Sequence, residues 1–160
     1  MDNDIRYGLE HFDKVWSRVT APEQDAKEGA WDELAALRGF IEDETRDGAY
    51  YAAMAARCPS AANSFRCMSA DERSHLRELQ VEYFLMTGSG FAPGGSCPAP
   101  GGTLAAMRKA YNGEMEGSEK YRLAAEKTAS PELREIYMRH AGDESVHAEK
   151  LRGLISRAIG

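Results

Sequence analysis

The stretch Asp143-Glu144-Ser145-Val146-His147 lies in a long segment whose apolar residues recur every three or four positions. That spacing is typical of an amphipathic helix. Positions i and i+3 of a helix lie on one face, so Glu144 and His147 can point at the same spot. A carboxylate oxygen and an imidazole nitrogen that converge on one point make half of a metal site.

The chain carries this pattern twice, since Asp71-Glu72-Arg73-Ser74-His75 has the same spacing and the same leading aspartate. Each copy follows a helical stretch that has a glutamate in its apolar stripe and a tyrosine seven residues further on. These pairs are Glu44 with Tyr51 and Glu114 with Tyr121. The sequence is therefore an internal repeat of two αα-hairpins.

The same periodicity predicts five helices, with Thr103 and Ser130 as N-caps of the last two. Their expected ranges are residues 4–18, 31–57, 59–86, 103–128 and 131–158. The first helix offers no acid and histidine at a chelating spacing, so we expect it to serve packing or self-association, in a homodimer. The predicted organisation is an N-terminal helix and linker, residues 1–30, followed by a bundle domain, residues 31–160.

Residues 88–102 are rich in glycine and proline and should form neither helix nor strand. Fully extended, about 15 residues reach roughly 50 Å, whereas a 26-residue helix is about 39 Å long. The segment is therefore either an interdomain linker or a crossover along the bundle. Because the halves are alike and small, a crossover is favoured. We predict an all-α four-helix bundle of two αα-hairpins, with the N-terminal helix in addition.

The turns place the glutamates at one depth. Glu44 precedes the turn at Cys58 by about 14 residues, and Glu72 follows it by about as many. Both therefore lie roughly 21 Å from that turn. Glu114 and Glu144 have comparable depths in the second hairpin. Pairing the hairpins brings four glutamates and two histidines to one level in the bundle centre.

Six such side chains suit two cations, although buried ion pairs without metal are the alternative. Oxygen-rich ligation with one nitrogen per metal favours iron or manganese over zinc. The predicted ligands are Glu44, Glu72, His75, Glu114, Glu144 and His147. Glu72 and Glu144 are predicted to bridge, because each shares a helix with a histidine. Asp71 and Asp143 are either exposed or partners of the outer ring nitrogens. His140 is better read as a packed or supporting histidine than as a seventh ligand.

Bulk properties exclude several classes of protein. A net charge of -6 argues against a general nucleic-acid or anionic-membrane binder. No apolar run reaches the roughly 20 residues of a membrane span, and the acidic N-terminus has no apolar signal region. The three cysteines form no Cys-x-x-Cys pair, so we expect reduced thiols in a cytoplasmic protein.

The ligand pattern resembles that of the ferritin-like diiron-carboxylate proteins, and most closely the rubrerythrin-like members. The likeness covers residues 31–158. It implies two iron ions, with manganese or zinc as other candidates, and a reaction with hydrogen peroxide or dioxygen. It also implies that Tyr51 and Tyr121 hydrogen-bond to ligand carboxylates. The expected function is a diiron oxidoreductase; the alternative is a protein that stores or binds metal without turnover.

Two features depart from the rubrerythrin pattern. Rubrerythrins carry a C-terminal rubredoxin domain with Cys-x-x-Cys pairs, which this sequence lacks before Gly160, so an external electron donor is expected. They also have an extra glutamate one turn beyond the ligand on the helix after the crossover. Here that position, three after Glu114, is Gly117, and its counterpart in the first half is Asp47. The second departure bears directly on the peroxidase chemistry.

Overall fold

The computed structural model describes residues 31–94, 101 and 103–160. Within these residues the chain forms four long helices and one short 3₁₀ turn, Pro59–Ala61, without any strand. The helices are α1, Glu33–Arg57; α2, Ala62–Thr87; α3, Thr103–Lys127; and α4, Pro131–Ile159. The all-α prediction is confirmed for this part of the chain. The helix predicted at residues 4–18 lies outside it.

Local capping explains where the helices begin and end. The Asp32 side chain accepts a hydrogen bond from the Ala35 amide at 3.0 Å, which starts α1. Ser130 caps α4 through the Leu133 amide at 3.2 Å, and Pro131 takes the first helical position. Gly88 ends α2 with a φ of 70°, a conformation that glycine adopts without a steric cost.

Two helix starts differ from the sequence-based expectation. The predicted helix at Pro59 opens as the 3₁₀ turn, and regular α2 follows from Ala62. Tight turns of this kind are frequent at helix N-termini. Thr103 was expected to cap α3 but is its first helical residue. Neither shift moves the side chains that face the bundle centre.

The four helices form two hairpins, α1 with α2 and α3 with α4, and each hairpin packs most closely within itself. The start of α1 shares a cluster of buried side chains with the ends of α2 and α3. The end of α1 shares another with the starts of α2 and α3. Helices α2 and α3 therefore run in the same direction. Thr87 and Thr103 therefore lie at opposite ends of the bundle, as the predicted crossover requires.

The two clusters lie at opposite ends of the bundle and leave a polar middle. Leu37, Leu79 and Tyr137 belong to one cluster, whereas Phe65 and Leu151 belong to the other. All five are at least 98% buried. The buried acidic residues come between these clusters along every helix, so the apolar ends hold the polar level in place.

Two further features agree with the sequence. No helix in the described ranges is both long and apolar enough to cross a lipid bilayer. Cys58 and Cys67 are free thiols. Cys97 lies outside the described residues.

The apolar ends should dominate the stability of the bundle. Phe65 is fully buried and stacks on Tyr51 with ring centroids 6.2 Å apart. We expect Phe65→Ala to destabilise the fold by about 3–5 kcal/mol, because it removes buried area and leaves a cavity. The matched control is Phe84→Ala, since Phe84 lies on the same helix but is 54% exposed. Its effect should stay within about 0.5 kcal/mol in urea titrations. Equal losses for the two variants would contradict this assignment of the core.

Candidate metal centre

The hairpins bring all six predicted ligand residues together at the middle of the bundle, where each is at least 94% buried. They form two overlapping sets. In the first set, His75 Nδ1 lies 3.2 Å from Glu72 Oε2 and 3.6 Å from both Glu44 Oε2 and Glu144 Oε1. One ligand atom from each of these four residues falls within 4.8 Å of the others.

The second set repeats this arrangement around the other histidine. His147 Nδ1 lies 2.9 Å from Glu72 Oε1, 3.7 Å from Glu114 Oε2 and 3.9 Å from Glu144 Oε2. The four residues again offer ligand atoms within 4.8 Å of one another. Each set therefore combines one nitrogen with three carboxylates, which is a donor set that suits iron or manganese.

Two carboxylates belong to both sets. Glu72 turns Oε2 towards His75 and Oε1 towards His147. Glu144 likewise turns Oε1 towards His75 and Oε2 towards His147. Because each oxygen of these two groups faces a different set, Glu72 and Glu144 have the orientation that bridging carboxylates require. Glu44 and Glu114 each contribute to one set only.

The chemistry of the donor atoms fits a bound cation. Among the described residues, Glu72 Oε1, Glu114 Oε2 and His147 Nδ1 are buried side-chain atoms without a hydrogen-bond partner. All three belong to the second set. Such atoms are costly in a protein interior unless something else satisfies them. A divalent ion would satisfy the three together, so the buried carboxylate and histidine groups could hold metal.

Each inner histidine is oriented by the opposite hairpin. His75 Nε2 lies 3.2 Å from Asp143 Oδ2, and His147 Nε2 lies 3.0 Å from Asp71 Oδ2. A carboxylate at Nε2 keeps a proton on that nitrogen, so Nδ1, which faces the glutamates, is the atom left to bind a metal. Asp71 and Asp143 are therefore placed as partners of the outer ring nitrogens, one of the two readings that the sequence left open.

The two tyrosines also form hydrogen bonds with residues of the opposite hairpin. The Tyr51 hydroxyl donates a hydrogen bond to Glu114, and the Tyr121 hydroxyl donates one to Glu44. Burial, followed by the charge of the accepting glutamate, raises the pKa of both phenols well above the ordinary value. Both tyrosines consequently keep their protons and hold the outer glutamates in position.

Crowding of like charges separates the pKa values of the glutamates. Burial raises the pKa of Glu44 to about 8. Burial, a hydrogen bond with Glu114 and the neighbouring carboxylates raise that of Glu144 far above the ordinary range. For Glu72, the effect of burial is outweighed by close contacts and charge attraction with His147 and His75, which lower its pKa to about 2.

The two histidines gain basicity from the same groups. Burial opposes their protonation, but hydrogen bonds and charge attraction with the glutamates outweigh it. The net result raises the pKa of His75 and of His147 to about 10. Without metal, the protein would therefore hold protons at this centre near neutral pH, and cations would replace them.

His140 lies directly beside the first set. It is fully buried, and its ring stacks on His75 with centroids 4.1 Å apart and meets Tyr121 edge-on at 5.2 Å. Its Nε2 lies 2.9 Å from Glu78 Oε2. Burial and the adjacent His75 lower the pKa of His140 to about 4, so its ring is neutral at physiological pH.

Comparison with known proteins agrees with this geometry. A protein-family model described as Rubrerythrin matches residues 106–158, which span nearly all of the second hairpin. The second hairpin is therefore similar to the rubrerythrin family. No curated protein and no solved structure matches it. The first hairpin lies outside the matched residues but carries the same Glu and Glu-x-x-His pattern.

A cleft between α1 and α3 leads from the surface of the bundle to the acidic centre. Its volume is about 620 Å³, and Tyr51, Glu114, Tyr121 and Glu144 contribute to its walls. Gly117 lies on the wall where rubrerythrins have the extra glutamate. A Cβ at that position would lie 3.7–3.8 Å from the Glu144 side chain. The glycine thus leaves space beside Glu144.

Sequence reasoning placed the six inner residues but missed their exchange of partners between the halves. The repeat shows that each half contains a tyrosine and an aspartate near its ligands, yet it does not say which half they serve. The Glu78–His140 pair was also missed. Glu78 follows His75 by three positions, so it lies on the same side of α2. That spacing was the available signal.

The raised pKa values predict that the metal-free protein loses stability as pH rises. Between pH 4.5 and about 8, folded Glu44 retains a proton that the unfolded chain releases. His75 and His147 act in the same direction between 6.5 and about 10. We expect the Tm of the metal-free protein to fall by at least about 5 °C from pH 5 to pH 8, as for a loss of roughly 2 kcal/mol.

Metal-loaded protein should have a flatter profile, because cations favour the ionised carboxylates. Glu44→Gln should flatten the profile of the metal-free protein, whereas Glu126→Gln, which changes an exposed glutamate on α3, should leave it unchanged. Parallel profiles for metal-free and loaded native protein would show that the glutamates do not act as one buried cluster.

Proposed function

We propose that the chain is a diiron-carboxylate oxidoreductase that reduces hydrogen peroxide, or dioxygen, as it oxidises Fe(II). The observation that carries this proposal is the pair of donor sets sharing Glu72 and Glu144. Two sets that share both bridging groups favour two ions held close together. A pair of redox-active ions can deliver two electrons in one encounter, which a single Fe(II) ion oxidised to Fe(III) cannot.

The proposed ligands divide into three kinds. Glu72 and Glu144 bridge the two ions, Glu44 and Glu114 each bind one, and His75 and His147 complete the two coordination spheres. Four carboxylates carry four negative charges, which two divalent ions balance. This balance would offset the burial and the crowding of charge that otherwise keep protons on Glu44 and Glu144.

Bound as Fe(II), the two ions would supply two electrons that, with two protons, convert one hydrogen peroxide molecule into two water molecules. The residues of the chain provide the setting. Asp71 and Asp143 orient the histidines, and the two tyrosines fix the outer glutamates. The cleft beside Gly117 would admit a small oxidant. An external donor would then return both ions to the reduced state.

A second function is a metal-binding or storage protein without significant turnover. The observation that favours it is Gly117, which leaves the second half without the extra carboxylate of rubrerythrins. Asp47 lines the same cleft, but its side chain is short and pairs with Arg46 at 3.1 Å. Both functions use the same donor sets, so redox cycling distinguishes them.

The enzyme proposal predicts both stoichiometry and turnover. Anaerobic loading should give close to two Fe(II) per chain, measured by metal analysis after desalting. One equivalent of hydrogen peroxide should oxidise both ions rapidly in stopped-flow absorbance. Re-reduction followed by a second addition should repeat the reaction. Iron that stays bound but is oxidised slowly, or only once, would support storage instead.

Variants test whether the two sets depend on each other. His147→Ala should lower the affinity of its own metal most and that of the other metal as well, because Glu72 and Glu144 serve both. Arg152→Ala is a suitable control, since Arg152 lies on the same helix and pairs with Glu149 at the protein surface. It should still bind two ions. Full occupancy of the first set with unchanged affinity in His147→Ala would contradict shared bridging.

A matched pair of glycine variants tests whether the oxidant enters through the cleft. Gly117→Ala adds a methyl group in contact with Glu144, whereas a Cβ at Gly113 meets nothing within 4 Å. Both changes should raise stability by up to about 1 kcal/mol, since both replace a helical glycine. Only Gly117→Ala should slow oxidation by peroxide, by several-fold with two metals retained. Equal peroxide rates for the two variants would argue against access along this wall.

A further inference from the structure

Three buried histidines share one arrangement at the centre. The outer nitrogens of His75 and His147 each face an aspartate of the opposite hairpin at 3.2 and 3.0 Å. His140 of α4 repeats this geometry with a residue of α2, since its Nε2 lies 2.9 Å from Glu78 Oε2. Glu78 is itself held by an ion pair with Arg139.

The other nitrogen of His140 has no hydrogen-bond partner among the described residues. This Nδ1 is buried, and the whole residue is 0% exposed. The Glu78 carboxylate accepts a hydrogen bond from Nε2–H of the neutral ring, so Nδ1 carries a lone pair. One ligand atom each of Glu44, His75 and His140 lie within 4.8 Å of one another. An unsatisfied nitrogen lone pair therefore lies beside the first donor set.

We propose that His140 is a further metal ligand, which gives the ion between Glu44 and His75 a second imidazole. This inference rests on the metal centre of the proposed function but not on its reaction. The rings of His75 and His140 lie 4.1 Å apart at 29°. At this spacing both rings are within reach of one ion bound at about 2.1 Å, and rotation of the nearly parallel rings about their Cβ–Cγ bonds would turn both Nδ1 lone pairs towards it.

The second half of the repeat provides this nitrogen and the first half does not. His140 precedes Glu144 by four positions, and the residue four before Glu72 is Met68, which is also 0% exposed. The ion beside His147 therefore has one imidazole, whereas the ion beside His75 has two. A site with more imidazole ligands favours metals such as Co(II) and Ni(II) over Mn(II). The two positions should accordingly differ in affinity.

Cobalt-loaded full-length protein tests this assignment. Each histidine bound through Nδ1 leaves an exchangeable Nε2 proton close to the paramagnetic Co(II), so its proton resonance shifts far outside the normal range. We expect three such exchangeable signals in the native protein and two in His140→Leu. In competition with a chelator, one of the two Co(II) binding steps should weaken by tenfold or more in the variant, and the other should change less than threefold.

Two further variants keep the result decisive. Met68→Leu changes the buried counterpart in the first half and should retain three signals and both affinities. Glu78→Gln should keep the third signal but weaken the same binding step as His140→Leu, because it removes the charge that orients His140. If His140→Leu fails to fold, the signal count of the native protein still decides.

Two exchangeable signals in native protein that holds two Co(II) ions would overturn the inference while leaving the metal centre intact. Unchanged affinities in folded His140→Leu would do the same. Failure to bind Co(II) at all would overturn the metal centre and this inference together. Three signals in a protein that does not cycle with peroxide would support the ligand and refute only the proposed peroxidase reaction.

Discussion

Four buried carboxylates at one level are the constraint on which the rest of the structure depends. Like charges in a low-dielectric interior repel strongly unless protons or cations intervene. Among the described residues, Glu44 and Glu144 have raised pKa values and therefore keep their protons. Glu72, which both donor sets share, faces two histidines instead. The apolar clusters at both ends of the bundle supply the stability that permits such a centre.

The contacts around this level cross from one hairpin to the other. Tyr121 donates to Glu44, and Asp143 faces His75, although these partners lie about 70 residues or more apart. Neither hairpin alone could satisfy its own polar groups, because their partners come from the other half. The centre can therefore form only when the two hairpins pack against each other. This coupling accounts for a repeat whose halves remain in one domain.

The helices, the crossover and the common level of the six inner residues could all be predicted from the sequence. All three follow from the periodicity of apolar residues and from distance along the chain. Neither periodicity nor distance along the chain shows which side chains form hydrogen bonds with each other. Tyr51 lies seven residues from Glu44 on the same helix and 63 residues from Glu114, and only the packing of the hairpins directs its hydroxyl to Glu114. The 3₁₀ start of α2 was missed for a related reason, since proline suits both kinds of first turn.

The repeat is symmetric in its inner residues and asymmetric around them, and this difference carries chemical meaning. Gly117 opens space beside Glu144, whereas its counterpart Asp47 places a carboxylate in the same cleft. His140 brings a buried nitrogen to one donor set, whereas Met68 brings none to the other. Two ions in equivalent sites would share the same affinity and the same potential. Unequal surroundings separate those properties, so the ions can differ in how readily each is lost or oxidised. A duplicated hairpin thus supplies the bridging geometry, and single substitutions within one copy give each position its own character.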